Sequence, residues 1–553
     1  MQLALPALAQ QLAAPDSAEA FRRQQERQQR EQEQLQRAPD VHLQSPEISA
    51  IKQRLSTDET PCFTIERIEM EGAQAQRFAW LKDALIRSDD SPVHKCIGAI
   101  GISIVQGRGQ DALLAKGFVT SRVLVAAQDL SKGTLVLTVL PGRIGATRFD
   151  AVSSPRGAAW NAVPAHAGDI LNLRDIEQAL ENFKRVPTVD ASIDIAPGAG
   201  TFESDLVISF RQAKPLRLNA SFDDSGSKSS GKYQGALTLS YDNWWSMNDV
   251  LYLTLNHDLG GGMPGARGTR GHTVYYAVPY GYWLLGGTVS RNVYYQTVAG
   301  VAQNYVYSGV STTAELKLQR LIYRDARRKT TLSLSAFQRT TNNFIDDSEV
   351  QVQRRVVGGW DFGVNHKEFF KQATLEGNLN YKRGTGAFGS LVAPEQAFGE
   401  GTSRLGIITA DANLTLPFAL KEQQFKFNPS WRWQMNRTPL SPQDRFAIGG
   451  RYTVRGFDGE LSLAAERGWL LRNDFSMLLG ASNQELYLGL DHGEVQGPSS
   501  ALLVAKRLSG AAIGVRGQFK KIQYDIFGAR PINRPSLFRT ASSTAGFSLN
   551  LSY

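Results

Sequence analysis

The C-terminal two thirds of the chain alternate apolar and polar residues along many short segments. Representative segments are Leu237–Tyr241, Leu251–Leu255 and Leu332–Ala336, where apolar residues recur at every second position. Such alternation predicts β-strands with one apolar and one polar face. From Pro215 onward the pattern predicts about sixteen amphipathic strands, with the spacing expected of a membrane β-barrel.

The glycine-rich segment from Gly260 to Gly271 predicts a loop between two of these strands. It is not typical of a phosphate-binding loop, because no Lys-Ser/Thr pair and no helix follow it. A soluble β-sandwich or β-propeller would show similar alternation, so the pattern alone leaves that alternative open.

A helix that is polar on every side is predicted for residues 18 to 37. The segment consists largely of Gln, Glu and Arg, which favour helix, and it ends before Pro39. Its length of about 30 Å matches the thickness of a bilayer's hydrocarbon core. Without an apolar stripe, such a helix is solvated, coiled against a partner or threaded through a water-filled channel. Residues 38 to 60 lack periodicity and predict a linker.

The first residues are similar to part of a secretory signal. Leu3–Ala9 is apolar and places Ala7 and Ala9 as in a cleavage site, although no positively charged segment precedes it. We therefore expect residues 1 to 17 to be the remnant of a signal peptide or a disordered tail.

Two α/β units are predicted between the linker and the barrel, because the periodicity switches twice between strand and helix. The first unit, residues 61–141, contains strands and helices predicted at Cys62–Ile65, Phe78–Ile86, Ile97–Leu114, Val119–Val125 and Thr134–Val139. The second unit, residues 142–212, contains elements predicted at Ile144–Phe149, Asn172–Phe183, Val189–Ile195 and Ser204–Phe210.

The composition excludes several classes of protein. With 553 residues the chain is too long for one ordinary domain, and 42% hydrophobic residues at a mean hydropathy of −0.28 fit neither a disordered nor a helical membrane protein. No run of about 18 apolar residues is present, as a spanning helix would require. The net charge is +9, but the basic residues are scattered and lack an aromatic-plus-basic signature, so nucleic-acid binding is not predicted.

The two cysteines, Cys62 and Cys96, both fall in the first unit. An isolated pair fits one disulfide in an oxidising compartment, where it would stabilise the unit by roughly 3 to 4 kcal/mol. Two buried free thiols are the alternative, and a zinc site is disfavoured because no histidine pair lies at zinc-ligand spacing. The seven histidines are dispersed, and no nucleophile elbow or paired carboxylates stand out. We therefore expect no catalytic residues, cofactor or metal.

Two motifs near the C-terminus indicate the function more specifically than the composition does. Val454-Arg455-Gly456-Phe457 places one cation and an aromatic around a glycine, which suits a tight loop tip that inserts a guanidinium into a confined polar space. The chain end carries apolar residues at every second position, namely Phe547, Leu549, Leu551 and Tyr553, as in the last strand of a membrane barrel.

With the order of the predicted domains, these motifs resemble the two-partner secretion transporters, or TpsB proteins, of the superfamily that includes the outer-membrane assembly factor. Gly489-Leu490-Asp491-His492-Gly493 is similar to the family's Gly-x-Asp-x-Gly strand. The resemblance implies a lid loop at about 436–467 whose Arg455 binds Asp491 between Gly489 and Gly493. It also implies a plug helix, two POTRA domains and a sixteen-stranded barrel over residues 213–553.

The resemblance further implies an outer-membrane pore, with its N-terminal domains in the periplasm, that exports a large β-helical exoprotein in unfolded form. That partner would be a haemolysin, an adhesin or a contact-dependent inhibition toxin. Outer-membrane lipid and the barrel assembly machinery are the other expected partners, and a monomer is expected. A barrel-inserting assembly factor and a passive porin are the alternatives. Arg320–Asp325 matches a further family pattern whose role the sequence does not explain.

Overall fold

The computed structural model describes residues 17–36, 38–43, 54–56, 58–87, 89–480 and 482–553. The predicted N-terminal tail lies outside these ranges except for Ser17, as does much of the predicted linker. Helix α1 covers Ser17–Leu35, close to the predicted polar helix. Within the described ranges, no helix is both long and apolar enough to cross a membrane.

The first α/β domain has a three-stranded sheet in the order β2-β5-β4 and a separate two-stranded pair of β1 and β3. Its elements are β1 (Phe63–Thr64), β2 (Arg67–Glu71), α2 (Ala79–Ile86), β3 (Cys96–Ile97), α3 (Ala99–Ala115), β4 (Arg122–Leu124) and β5 (Thr134–Leu140).

The sheet strand β2 was not predicted, and the short strand predicted at Cys62–Ile65 is present but lies outside this sheet. That segment forms only the short β1, whereas β2 pairs in parallel with β5. Strand β2 alternates charged residues with the buried Ile68 and the partly buried Met70, so the alternation places its apolar side chains on the core.

The second domain has the sheet order β6-β8-β7, with two helices on the chain between its first and second strands. Its elements are β6 (Arg143–Phe149), α4 (Ala159–Ala162), α5 (Leu173–Lys184), β7 (Val189–Pro197) and β8 (Glu203–Gln212). Helix α5 begins after Asn172, whose side-chain oxygen accepts the backbone N–H of Arg174 at 2.8 Å and so caps the helix. The buried residues Ile176, Leu180 and Phe183 of α5 belong to the domain core.

The remaining strands build a closed antiparallel barrel and a small hairpin. They are β9 (Leu216–Asp223), β10 (Gln234–Asp242), β11 (Val250–Asp258), β12 (Arg267–Tyr280), β13 (Trp283–Ala299), β14 (Asn304–Arg324), β15 (Arg328–Ile345), β16 (Ser348–Glu349), β17 (Arg355–Phe370), β18 (Ala373–Thr385), β19 (Gly406–Leu420), β20 (Gln423–Asn436), β21 (Phe446–Ile448), β22 (Leu463–Ala465), β23 (Arg467–Leu478), β24 (Glu485–Gln496), β25 (Arg507–Phe519), β26 (Ile522–Asn533) and β27 (Thr544–Ser552).

Sixteen long strands close the barrel in the described part of the chain, which confirms the predicted architecture. Closure occurs where β27 pairs with both β26 and β9. The faces follow the alternation: Leu237 and Leu253 are exposed on the outside, whereas Thr238 and Tyr252 are buried on the inside. The loop predicted from Gly260 to Gly271 ends earlier in the structure. Strand β12 already begins at Arg267, and Gly271 pairs with Asn292 of β13.

Candidate functional site in the barrel lumen

A long connection between β20 and β23, residues 437–466, folds back into the barrel, and we call it the lid loop. Its two arms pair as the hairpin β21–β22, and the segment between these strands carries Val454-Arg455-Gly456-Phe457, which we call the lid tip. The lid tip is closely packed: Val454, Arg455 and Phe457 are each at most 3% exposed. Its charged side chain is therefore removed from bulk solvent.

Arg455 of the lid tip binds Asp491 of β24 through three hydrogen bonds. Its Nε and Nη2 donate to the two carboxylate oxygens of Asp491, each at 2.7 Å, and its backbone N–H donates to Oδ2 at 2.9 Å. The two parallel side-chain bonds need the planar fork of a guanidinium, which a lysine lacks. Asp491 is 3% exposed, so breaking the pair would leave a buried carboxylate without its hydrogen-bonded cation, which is costly.

A second carboxylate extends this ion pair into a network on the barrel wall. Nη2 of Arg455 also donates to Asp474 of β23 at 2.6 Å. Asp474 in turn accepts from Nη1 of Arg516 at 3.0 Å, and Arg516 reaches Glu485 at 3.0 Å. Arg472 lies 3.9 Å from Asp491 and adds a second positive charge beside it. Opposite charges therefore alternate across three neighbouring strands, β23 to β25.

Glycines make room for the lid tip. Gly456 has φ of +102°, and a Cβ there would collide with the backbone oxygen of Arg530. A Cβ on Gly489 would collide with the Arg455 guanidinium, and one on Gly493 would approach Val454 Cγ2 to 3.0 Å. The two glycines that flank Asp491 in the predicted motif therefore form the floor on which the lid tip rests.

Apolar packing seats the same tip. Val454 and Phe457 lie in a buried cluster, and the Phe457 ring meets Phe538 edge to face at 5.5 Å. The other buried members of this cluster come from the lid hairpin and strands β23 to β25: Ile448, Leu463, Ala465, Leu470, Val495 and Leu508. The lid is thus held by burial as well as by its ion pairs.

Helix α1 lies inside the barrel, and we call it the plug helix. Its Gln28 donates to Thr273 of β12 at 3.0 Å, and Gln36, directly after the helix, donates to Tyr252 of β11 at 3.0 Å. Arg27 donates to Gln234 of β10. These acceptors are buried residues on the inner face of the wall, so a polar helix meets a polar lumen.

The plug helix and the lid loop meet at Arg339 on the barrel wall, and they also touch directly where Arg23 donates to the backbone oxygen of Gly459. Arg339 of β15 forms two parallel hydrogen bonds to Asp444 at the base of the lid loop, at 2.9 and 2.8 Å. The Arg339 guanidinium also lies over the ring of Phe21 from the plug helix, 5.1 Å from its centre. Arg22 of the plug helix donates to the backbone oxygen of Pro442 at 2.6 Å.

Arg324, in the run that sequence reasoning left unexplained, joins the barrel to the second domain. It extends from the end of β14 to Glu177 and Glu181 of α5, both at 3.0 Å, and donates to the backbone oxygen of Val41 at 2.7 Å. Lys329 of β15 adds a second cation, 2.8 Å from Glu181. We call these residues the periplasmic junction.

The segment that follows the plug helix lies against the same carboxylates. Val41 and Leu43 donate their backbone N–H groups to Glu181 and Glu177, at 3.0 and 2.9 Å. Burial raises the pKa of a carboxyl group, but the nearby Lys329 and Arg324 outweigh this and hold the pKa of Glu181 below its usual value. Glu181 is therefore ionised at neutral pH.

The other predicted residues lie apart from the lid. Cys62 and Cys96 form a disulfide that joins β3 to the segment before β1. Phe547, Leu549, Leu551 and Tyr553 lie at alternate positions at the closing seam, where Leu549 pairs with Phe222 of β9 and the Phe547 ring lies 5.0 Å from Phe222. Tyr553 is 80% exposed.

Sequence reasoning missed Asp474, Arg516 and Arg339. The available signal was a charged residue at a lumen-facing position of a predicted strand. Such a position shows that a charge points inward, but it does not show which charges meet, because that depends on the register between strands. Among the described residues, no group of three or more His, Cys, Asp or Glu side chains is arranged to hold a metal ion.

Comparisons with known proteins agree with this architecture. The family model described as haemolysin secretion/activation protein ShlB/FhaC/HecB matches residues 203–517, and two POTRA-domain models match residues 63–142 and 143–197. The outer membrane transporter CdiB-2 of Burkholderia pseudomallei is 36% identical over 100% of this chain and 98% of its own. The hemolysin transporter protein ShlB of Serratia marcescens is 24% identical over 77% and 76%.

Among solved structures, CdiB from Acinetobacter baumannii aligns with a TM-score of 0.85 at 30% identity, covering 97% of this chain and 99% of that one. The chain therefore belongs to the haemolysin secretion/activation protein family ShlB/FhaC/HecB, and it is an outer-membrane transporter of two-partner secretion with N-terminal POTRA domains.

Proposed function

We propose that the chain exports one large β-helical exoprotein in an extended, unfolded form through the barrel lumen, which the plug helix and the lid loop gate. The observation that supports this proposal is that two separate segments occupy the lumen and both are attached through polar contacts. Polar contacts can be exchanged for water or for the backbone of a passing chain. The client is a haemolysin, an adhesin or a contact-dependent inhibition toxin.

In this proposal the lid tip works as a two-position element. The Arg455 pair with Asp491 and Asp474 stabilises the seated position, and a client in the lumen favours a second position. Because both partners are buried, leaving the seat is costly unless the client or water solvates the released charges. Because of this free-energy cost, the lid opens only when a client is present.

The periplasmic junction connects client recognition to the plug. The N-terminal secretion domain of the client docks on the two POTRA domains, and α5 of the second one also binds the segment that leads to the plug helix. A client that moves this segment away from Glu177 and Glu181 loosens the plug. Folding of the client outside the cell then supplies the free energy of export, because each added rung buries apolar surface.

We further propose that the pore works as a monomer and without catalytic chemistry. The outer face of its barrel contacts outer-membrane lipid. The terminal strand with Phe547, Leu549, Leu551 and Tyr553 is the signal that the barrel assembly machinery reads, and its alternate apolar residues at the seam where the barrel closes support this role.

Tethering the plug helix tests the proposal. A short bismaleimide cross-linker would join cysteines introduced by Gln28→Cys and Thr273→Cys, which replace a contacting pair in the lumen. We expect the tethered pore to insert normally but to export no client. Each single-cysteine variant treated with the same reagent is the matched control and should export normally. Normal export by the tethered form would contradict the proposal.

A further inference from the structure

Exposed aromatic residues cluster where the barrel strands end next to the second domain. Tyr280 and Trp283 face outward at the β12–β13 turn, with 60% and 38% exposed. Trp244 and Trp245 lie in the turn that joins β10 to β11, and the Trp244 ring packs on outward-facing Tyr241 at 4.7 Å. Aromatic rings with one apolar and one polar side accumulate at both edges of a bilayer, so these residues mark the periplasmic membrane interface of the barrel.

One member of this group does not belong to the barrel. Trp160, in α4 of the second domain, is 60% exposed, and its ring centre lies 6.1 Å from that of lipid-facing Tyr280. A large, exposed tryptophan on a folded domain is unusual unless another surface covers it. Its contact with Tyr280 continues the row of aromatic residues from the barrel onto the second domain.

Buried asparagines hold α4 against the barrel turns, so the position of Trp160 is fixed. Asn161 donates to the backbone oxygen of Pro279 at 3.2 Å and accepts from Asn248 at 2.8 Å. Asn248 also donates to the backbone oxygen of Ala158 at 2.8 Å, and Asn182 of α5 donates to that of Gly281 at 2.8 Å. The second domain therefore cannot turn its tryptophan away without breaking buried hydrogen bonds.

A basic side chain accompanies the aromatic residues. Arg156, four residues before Trp160, donates to the backbone oxygen of Asn243 and lies 5.8 Å from the ring centre of outward-facing Tyr241. Arg320 lies 4.7 Å from the ring centre of outward-facing Trp283. Guanidinium groups beside aromatic rings at this level suit the phosphate groups of lipid heads.

We infer that the face of the second POTRA domain that carries Trp160 binds phospholipid of the periplasmic leaflet. Continuity with the lipid-facing wall of the barrel through Tyr280 favours lipid over a protein partner. The contact makes the membrane a third support for this domain, beside the asparagines and the periplasmic junction, and holds its orientation while the client docks.

Tryptophan quenching in vesicles tests the inference. The full chain is reconstituted in phosphatidylcholine and phosphatidylglycerol vesicles that contain phosphatidylcholine brominated close to its head group. The fluorescence of one residue is the difference between the full chain and its Trp→Phe variant. We expect brominated lipid to remove about half or more of the Trp160 signal, as at a membrane interface, and aqueous acrylamide to quench it weakly.

Two matched variants make the result decisive. Trp245→Phe reports the barrel's own interface and should show lipid quenching, whereas Trp80→Phe reports α2 of the first domain and should show none. Lipid quenching of Trp245 but not of Trp160, together with acrylamide quenching of Trp160, would overturn the inference and leave this face to a protein partner. Lipid quenching of both Trp245 and Trp160, with Trp80 unaffected, would establish it.

Discussion

The plug helix and the lid loop both fill the lumen, but the barrel holds them in different ways. Gln28 of the plug helix and Gln36 directly after it each donate a hydrogen bond to a neutral side chain of the wall. Arg455 of the lid tip makes four hydrogen bonds, three of them to one buried carboxylate, and apolar neighbours surround it. The plug is attached by several separate contacts, among them hydrogen bonds donated by Arg22 and Arg27 to uncharged acceptors, and the lid tip by one network of ion pairs.

This difference implies an order of opening. A neutral hydrogen bond contributes about 0.5 to 1.5 kcal/mol and water replaces it easily, so the plug can leave one contact at a time. A buried ion pair resists separation, because each half left alone costs about 3 to 5 kcal/mol. We therefore expect the plug to leave the lumen before the lid tip leaves its seat.

The largest effect is expected from Arg455→Ala. This change removes both side-chain hydrogen bonds from Arg455 to the buried Asp491. Asp491 keeps only the backbone N–H of position 455 and Arg472 at 3.9 Å, whereas Asp474 keeps Arg516 at 3.0 Å. We expect a cost of about 3 to 5 kcal/mol to the seated lid. We expect export to fall at least about tenfold, because a lid tip that has lost its seat takes up no defined position and lies in the path of the client. Barrel insertion should be unchanged, because the strand ladder is intact. The amount of client in the culture medium measures export, and heat-modifiable migration of the barrel on gels measures insertion.

The matched control is Arg507→Ala, which removes an arginine that is two thirds exposed and pairs with Glu494 at 3.2 Å. Exposed pairs contribute little, so this variant should export normally. Arg455→Lys should lie between the two, because it keeps the charge but loses the parallel bonds. Normal export by Arg455→Ala would show that the lid tip does not gate the pore.

Deleting residues 18 to 37 should raise single-channel conductance several-fold without abolishing export. The deletion removes the helix that fills the lumen but leaves the Arg455 network, which lies on strands β23 to β25. Planar-bilayer recordings compare the deletion with the full chain and with Arg455→Ala, whose intact plug should keep conductance low. Equal conductance of the deletion variant and the full chain would show that this helix does not block the pore.

The sequence offers a signal for the pairing of Arg455 with Asp491 but none for the surrounding network, for a physical reason. Arg455 and Asp491 each lie in a motif, and their residue types are complementary, so the pair could be expected before the structure. Asp474 and Arg516 lie in no motif. They meet because Asp474 pairs with Gly489 across β23 and β24, and Arg516 pairs with Glu485 across β24 and β25.

The same limit applies to the fold. Alternation predicts about sixteen strands, because the apolar and polar faces of a strand appear as alternating residues in its own sequence. It does not reveal that the end of β14 abuts α5, so the role of Arg324 at Glu177 could not be read from the run that contains it. The short strand at Cys62–Ile65 was predicted correctly as β1, but the neighbouring sheet strand β2 was not predicted.

An intermediate effect is expected from Arg339→Met, which acts where plug and lid meet. Methionine keeps most of the apolar volume but leaves Asp444 without its two parallel bonds. We expect the lid base and Phe21 to loosen together, at about 2 to 4 kcal/mol, so that brief channel openings become more frequent. Bilayer recordings detect them. Asp444→Asn should reproduce the effect. If the frequency of openings is unchanged in both variants, the plug helix and the lid loop do not depend on this contact.

The smallest effect is expected from Gln28→Ala. The change removes one hydrogen bond between the plug helix and Thr273, worth about 0.5 to 1.5 kcal/mol, and water can occupy the freed hydroxyl. Conductance and export should stay close to those of the full chain. Combining it with Gln36→Ala, which removes the bond to Tyr252, should add the two free-energy costs and so multiply the two small increases in the open-to-closed ratio, because the two contacts share no residue. A single change that already opened the pore would mean that the plug, like the lid, depends on one dominant contact, and the proposed order of opening would fail.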